Sequence, residues 1–215
     1  MTRRSWFQPA LACCALFLLA DSRAQAKDEW VSLFDGKTLS GWEPVGGKAG
    51  NWSVVDGDLV TKGDGGGWLS TSKTYGDFTL RLEYKVEAAG NSGVFIRSPR
   101  SGDPAYTGME IQVLDDGDPS YKGLKPAQYT GSVYGVQAAK RGSTKKPGEW
   151  NAMEITARGP KIIITLNGTT IVDTSLDDHA DAADAHPGIK RADGYIGLQS
   201  HEDPVRYRNI RVKAL

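Results

Sequence analysis

The chain has 215 residues, carries 26 Lys+Arg against 26 Asp+Glu, and is 39% hydrophobic. Zero net charge excludes a basic footprint for nucleic acid or an anionic membrane surface, and the ordinary apolar fraction excludes wholesale disorder. With 26 glycines and no collagen-like period, the composition predicts many short strands joined by tight turns.

The N-terminal segment reads as an export signal. Arg3 and Arg4 form a positive start, Pro9 to Ala20 is an apolar run, and Ala24-Gln25-Ala26 offers small residues to a signal peptidase. The run is too short to anchor in a bilayer. Residues 1–26 are therefore expected to be a signal peptide and 27–215 a single domain, exported to the periplasm or secreted. Lipidation at Cys13 or Cys14 fits poorly, because the apolar stretch continues past both. Cleavage would remove both cysteines, so the remaining chain must hold together by packing alone. No further apolar stretch approaches membrane length.

Alternation carries the rest. Trp52–Val55 and Asp58–Val60 flank Asp56-Gly57, a pair that favours the positive dihedrals of a tight hairpin. Phe78, Leu80, Leu82, Tyr84 and Val86 alternate with Thr79, Arg81, Glu83 and Lys85, predicting a half-buried antiparallel strand. Met109, Ile111 and Val113 repeat the pattern, as do Met153, Ile155 and Ala157. Ile162 to Leu166 is a continuous apolar run, predicting a central strand. Asn167-Gly168 then turns the chain into Thr169–Val172, and Ile196, Leu198, Ile210 and Val212 complete the set. About a dozen strands with no long helix predict an all-β fold of two stacked antiparallel sheets. Pro99–Thr107, Asp115–Ser143 and Ser175–Asp193 read as long loops, the usual carriers of a ligand site.

The same parity sorts polar residues. Arg97 faces out with Gly93 and Phe95, Glu110 and Gln112 oppose Met109, Ile111 and Val113, and Gln199 and His201 oppose Ile196 and Leu198. If these strands are neighbours, the five residues line one polar face. Any solvated strand face is polar, but Gln, His and one Arg beside glycines suit a polyhydroxylated ligand better than the Lys, Thr and Glu of an ordinary one. Tyr106, Tyr129 and Tyr134 lie in the loops and are candidates for lining the site, whereas Trp42, Trp52 and Trp150 are expected to be structural. His179 and His186 among aspartates allow a hard-metal site only without recognised ligand spacing, so no metal is assigned. No phosphate-cradling loop, Gly-x-Ser-x-Gly elbow or His-Glu-x-x-His is present.

Several segments in order resemble one family. They are Phe34-Asp35-Gly36-Lys37-Thr38-Leu39-Ser40-Gly41-Trp42, Asn91 to Arg97, Glu110 to Asp115, Thr130 to Gly135, Gly148 to Asn151, Leu166-Asn167-Gly168, Ile196 to His201 and Arg208-Asn209-Ile210. Together they resemble the 3-keto-disaccharide hydrolase domain, associated with 3-keto-glucoside lyase and 3-keto-2-hydroxyglucal hydratase activity. The resemblance implies a concanavalin A-like jelly-roll sandwich of the lectin/glucanase type, with a carbohydrate substrate on the concave sheet. It further implies a functional link to a sugar 3-oxidoreductase. Where the family often has Gln-Asp-His, this chain has Gln199-Ser200-His201.

The chemistry so implied is removal of the C2 proton beside a C3 ketone, loss of the C1 substituent, and addition of water. It requires a base, an electrophile at the C3 oxygen and an acid at the leaving oxygen. His201 is expected as base, since imidazole titrates near neutrality, with Arg97 as electrophile and Glu110 as acid/base partner. Gln112, Gln199, Tyr134 and Asp115 are expected substrate contacts, Tyr134 also being a second candidate acid. No cofactor is expected, although a divalent cation could replace Arg97. Two other readings compete. A non-catalytic carbohydrate-binding module would use the same face. A two-carboxylate glycosidase would pair Glu110 with Asp115 or Asp116, but Asp115 has the wrong parity and Asp116 lies roughly 20 Å along.

Overall fold

The computed structural model describes residues 29–63 and 65–215, so the expected signal segment lies outside the described residues. Thirteen strands are present among them: β1 (Val31–Ser32), β2 (Trp42–Val45), β3 (Trp52–Val55), β4 (Asp58–Thr61), β5 (Trp68–Tyr75), β6 (Phe78–Val86), β7 (Asn91–Ser98), β8 (Met109–Leu114), β9 (Asn151–Arg158), β10 (Lys161–Leu166), β11 (Thr169–Ser175), β12 (Gly194–Gln199) and β13 (Val205–Ala214). They form two antiparallel sheets. The back sheet runs β11-β10-β9-β6-β13-β4-β3, with β1 also on β13, and the front sheet runs β2-β5-β12-β7-β8.

Local chemistry sets the hairpins. Asp56 and Gly57 take φ of 54° and 83°, and Asn167 and Gly168 take 50° and 84°, so both two-residue turns have the twist that tight hairpins demand. The run Ile162–Leu166 does not lie centrally. Strand β10 sits next to the edge strand β11, and only Ile162, Ile164 and Leu166 are buried. Ile163 is half-buried on the outer face, where a β-branched residue is favoured by strand propensity alone.

Leu80, Leu82, Ile155, Ile164 and Ile210 from the back sheet meet Leu69, Val94, Ile96, Ile111 and Leu198 from the front. Each such side chain contributes roughly 1.5–3 kcal/mol by leaving water. Polar groups cross this core in two places. The Tyr207 hydroxyl meets Ser92 Oγ at 2.6 Å, and Ser92 Oγ donates to the Gln199 carbonyl, also at 2.6 Å. Ser200 Oγ accepts from Asn51 Nδ2 at 2.6 Å and Thr61 Oγ1 at 2.7 Å, which pins the end of β12 to the β3–β4 hairpin.

The long loops are partly ordered. Helix α1 (Pro104–Thr107) is capped by the Asp103 side chain, which accepts from Ala105 N at 3.0 Å. Residues Leu176–Asp184 and Pro187–Lys190 coil into short 3₁₀ turns, broken at His179, rather than running as plain loop. Among the described residues no helix is long and apolar enough to cross a membrane.

Candidate active site

Strand register arranges the outer face of the front sheet into two rows. Glu110 lies opposite Phe95, Phe95 opposite Gly197, Gly197 opposite Ser70, and Ser70 opposite Glu43. The next row holds Gln112, Gly93, Gln199, Trp68 and Val45 in the same order across the sheet. The segment after Tyr129 extends the sheet at its edge. Val133 bridges Ile111, and Tyr134 N donates to the Glu110 carbonyl at 2.9 Å, so Tyr134 flanks Glu110 in the first row.

Two glycines let large side chains fold down onto this floor. A Cβ on Gly93 would lie 2.7 Å from the Glu110 carboxyl carbon, and one on Gly197 would lie 2.5 Å from Trp68 Cζ3. The Trp68 ring meets Phe95 edge-on at 5.6 Å, and Ala105 from α1 closes over the pair. Glu110 is thereby only 4% exposed. Burial first, and then the charge of Asp103, pushes its carboxyl up to about 8.

The expected site residues are distributed as follows. Glu110, Gln112 and Gln199 share the floor with Tyr134 beside them. Gln112 Oε1 turns back to accept from Val113 N at 3.0 Å, while Gln199 Oε1 is buried with no partner. Tyr134 OH accepts from Gln128 Nε2 at 2.8 Å, leaving its own proton to donate. His201 is exposed, just past the end of β12. By strand spacing and rise its backbone is roughly 16 Å from that of Glu110. Ser200, in the place of the family's frequent Asp, is turned to Asn51 and Thr61 and does not orient the imidazole. Asp115 accepts from Ala89 N and Gly117 N, and Asp116 from Thr130 N, so both carboxylates hold turns.

Arg97 corrects the expectation from parity. Its φ is 48°, and the register between β7 and β12 slips at this point, so a bulge turns the side chain away from the floor. The guanidinium is 1% exposed and donates to the carbonyls of Gly76, Gly159 and Arg191 and to Asp77 Oδ1. It holds loops together and does not reach the floor. Arg100 does reach it, donating to Ser70 Oγ at 3.1 Å, Glu43 Oε2 at 2.5 Å and Thr71 O at 2.8 Å, and lies 4.2 Å from the Tyr195 ring centre.

Trp68, Arg100 and Asp103 carry no sequence signal of their own, and Phe95 and His186, visible in the sequence only as an outward-facing residue and as one of two loop histidines, take their roles from register and loop packing. Another cavity, of about 840 Å³, lies against the back sheet among Trp30, Asp35, Asp58, Glu83, Arg208 and Arg211. Three of its acids already have partners: Asp58 has Arg206, Glu83 has Arg208 and Asn209, and Asp35 has Lys37 N and Thr38. Among the described residues no group of three His, Cys, Asp or Glu side chains is placed to hold a metal.

A curated 3-keto-disaccharide hydrolase of Bacteroides thetaiotaomicron is 30% identical, with 87% of this chain and 79% of that protein covered. A solved structure of a proposed glycosyl hydrolase from Parabacteroides distasonis superposes with a TM-score of 0.76 at 29% identity, covering 87% of this chain and all of the other. The β-glucanase of Bacillus licheniformis shares the fold at a TM-score of 0.55 and 12% identity, covering 87% and 98% of the two chains. Residues 29–213 match the model of the 3-keto-α-glucoside-1,2-lyase-like domain, and the chain belongs to that family.

Proposed function

We propose that the protein cleaves glycosides carrying a ketone at C3, by elimination across C1–C2 followed by hydration. The observation that carries this reading is Glu110, the one buried carboxyl among the described residues, set on an aromatic and amide-lined floor with its pKa pushed up to about 8. A base whose pKa lies close to the working pH combines an adequate ionised fraction with sufficient strength. The C3 ketone acidifies the C2 proton. Glu110, as its carboxylate, takes that proton; the C1–oxygen bond breaks as the C1=C2 bond forms, and the protonated Glu110 returns its proton to the leaving oxygen. Water then adds across C1=C2, with hydroxyl to C1 and a proton to C2, so the net change is hydrolysis.

Trp68 and Phe95 offer the sugar ring an apolar platform, and Gln112 and Gln199 supply amide groups for its hydroxyls. The unpaired Gln199 Oε1 is the acceptor left over for a hydroxyl proton. His201, at the open end of β12, is a rim contact in this arrangement, and Arg97 takes no part in the chemistry. The substrate ketone must come from a separate sugar 3-oxidoreductase.

The test is turnover of the 27–215 chain on a 3-keto-glucoside and its unoxidised parent in deuterated water. Aglycone release from the keto substrate alone, with deuterium at C2 of the product, is expected. Glu110→Gln should lower kcat about 10²–10⁴-fold. Activity should rise with pH through a midpoint near 8, as the carboxylate fraction grows. Cleavage of the plain glucoside would replace this reading with two-carboxylate hydrolysis, and binding without turnover would make the domain a carbohydrate binder.

A further inference from the structure

Beside Glu110, beyond the edge of the front sheet, lies a separate cavity of about 230 Å³. Its walls come from three distant stretches of chain: Tyr106 on α1, Lys125, Ala127 and Gln128 at the Pro126–Gln128 turn with Tyr134 and Gly135 after it, and His186 at the head of the last 3₁₀ turn. The volume falls below the roughly 300–1,000 Å³ usual for drug-sized ligands, so it suits a single ring.

The walls pack against one another. Tyr106 stacks on His186 with ring centres 5.0 Å apart and 26° between planes, and meets Tyr134 edge-on at 6.4 Å. Gly135, at φ 69°, allows this: a Cβ there would lie 2.5 Å from His186 Cε1 and Nε2. Gln128 fixes the Tyr134 hydroxyl at 2.8 Å while its own Oε1 accepts from Lys125 N at 2.9 Å. The orientation of Tyr134 is therefore set by a residue whose amide is itself anchored to the backbone of Lys125.

Two features point to a ligand. Tyr106 is 39% exposed and is the only aromatic among the large exposed hydrophobics of the described residues. An aromatic ring held by two others and still left in water is an open stacking surface. His186 is 8% exposed, and its Nδ1 has no hydrogen-bond partner. An orphaned buried nitrogen in a cavity wall marks a polar group unsatisfied while the cavity is empty.

We propose that this cavity is the subsite for the leaving half of the substrate, and that it takes a second pyranose ring, stacked on Tyr106 and hydrogen-bonded by the Tyr134 hydroxyl. This rests on the function proposed above, and the register supports it: Tyr134 is directly opposite Glu110, so a glycosidic oxygen within reach of the Glu110 carboxyl leaves its outer sugar over the cavity. The protein should then prefer disaccharides to glycosides with small leaving groups.

The experiment compares kcat/KM for a 3-keto-disaccharide of glucose with that for methyl 3-keto-glucoside. The wild-type ratio is expected to be tenfold or more, and Tyr106→Ala and Tyr134→Phe should each pull it toward one. A wild-type ratio near one, or a ratio unchanged in both variants, would overturn the subsite. Thermal unfolding of each variant confirms that the fold persists. If no keto substrate is turned over, the proposed chemistry fails but the subsite is still tested. Calorimetric titration with an unoxidised disaccharide and with glucose should then show tighter binding of the disaccharide, lost in Tyr106→Ala; equal affinities would reject it.

Discussion

Glu110 occupies a position that a solvated strand face would fill with a residue of no consequence. Gly93, diagonal to it on the neighbouring strand, and the loop above it take the carboxyl out of water, and burial raises its pKa to about 8 from the usual value near 4.5. The linkage has a definite sign. Below about pH 4.5 both folded and unfolded chains carry the proton, and Glu110 costs nothing. Between 4.5 and 8 the unfolded chain ionises first, so it binds fewer protons than the folded one and stability falls as pH rises; above 8 the penalty is complete. Glu110→Gln should therefore leave the melting temperature nearly unchanged at pH 4.5 and raise it at pH 8.5. Thermal unfolding of both proteins at the two pH values checks this, and an equal shift at both would mean that the carboxyl is not desolvated.

At the scale of the strand, alternation placed Glu110, Gln112 and Gln199 on one face, and the register of β7, β8 and β12 brings them together. Parity failed at Arg97 because a bulge adds a residue to one strand without changing composition, and nothing in Asn91–Ser98 announces it. Trp68 was invisible for a different reason. Its role depends on Gly197, more than a hundred residues away, and sequence periodicity says nothing about which strands are neighbours. The loop residues Tyr106 and Tyr134 were legible as candidates from their location, whereas the stacking of His186 on Tyr106 required the fold. Gly197→Ala isolates the strand-level device. Its methyl would enter the Trp68 ring, forcing the indole off the floor and away from Phe95. We expect at least a tenfold loss of affinity for sugar, read by titration calorimetry, with front-sheet β structure retained in the far-ultraviolet circular dichroism. An unchanged affinity would remove Trp68 from the binding platform.

Across the whole molecule, the site depends on a back sheet it never touches. Tyr84 and Tyr207 are a cross-strand pair at the centre of that sheet, both fully buried, and burial raises both hydroxyls above their usual range. Their bonding is unequal. Tyr207 reaches through the core to Ser92 and so to the Gln199 carbonyl, while the Tyr84 hydroxyl has no partner. Removing a satisfied buried hydroxyl costs about 1–2 kcal/mol when its partner is stranded, whereas removing an unsatisfied one relieves a desolvation cost. Tyr207→Phe should accordingly destabilise by about 1–2 kcal/mol and Tyr84→Phe should be neutral or stabilising by up to about 1 kcal/mol in denaturant unfolding. The reverse order would mean that the two sheets are not tied through Tyr207.

The separation of floor from wall has a consequence for how such a protein changes over time. The floor is made of paired strands, where a single substitution disturbs register, core and chemistry together. The cavity beside it is made of connections outside the named strands, and of these only the Tyr134 segment bonds to the ladder, so side-chain exchanges at Tyr106 and His186 leave the strand pairing intact. A lineage can therefore retune which leaving groups it accepts without rebuilding the step that breaks the bond. An engineer can do the same by grafting the segments around Tyr106, Tyr134 and His186 between relatives.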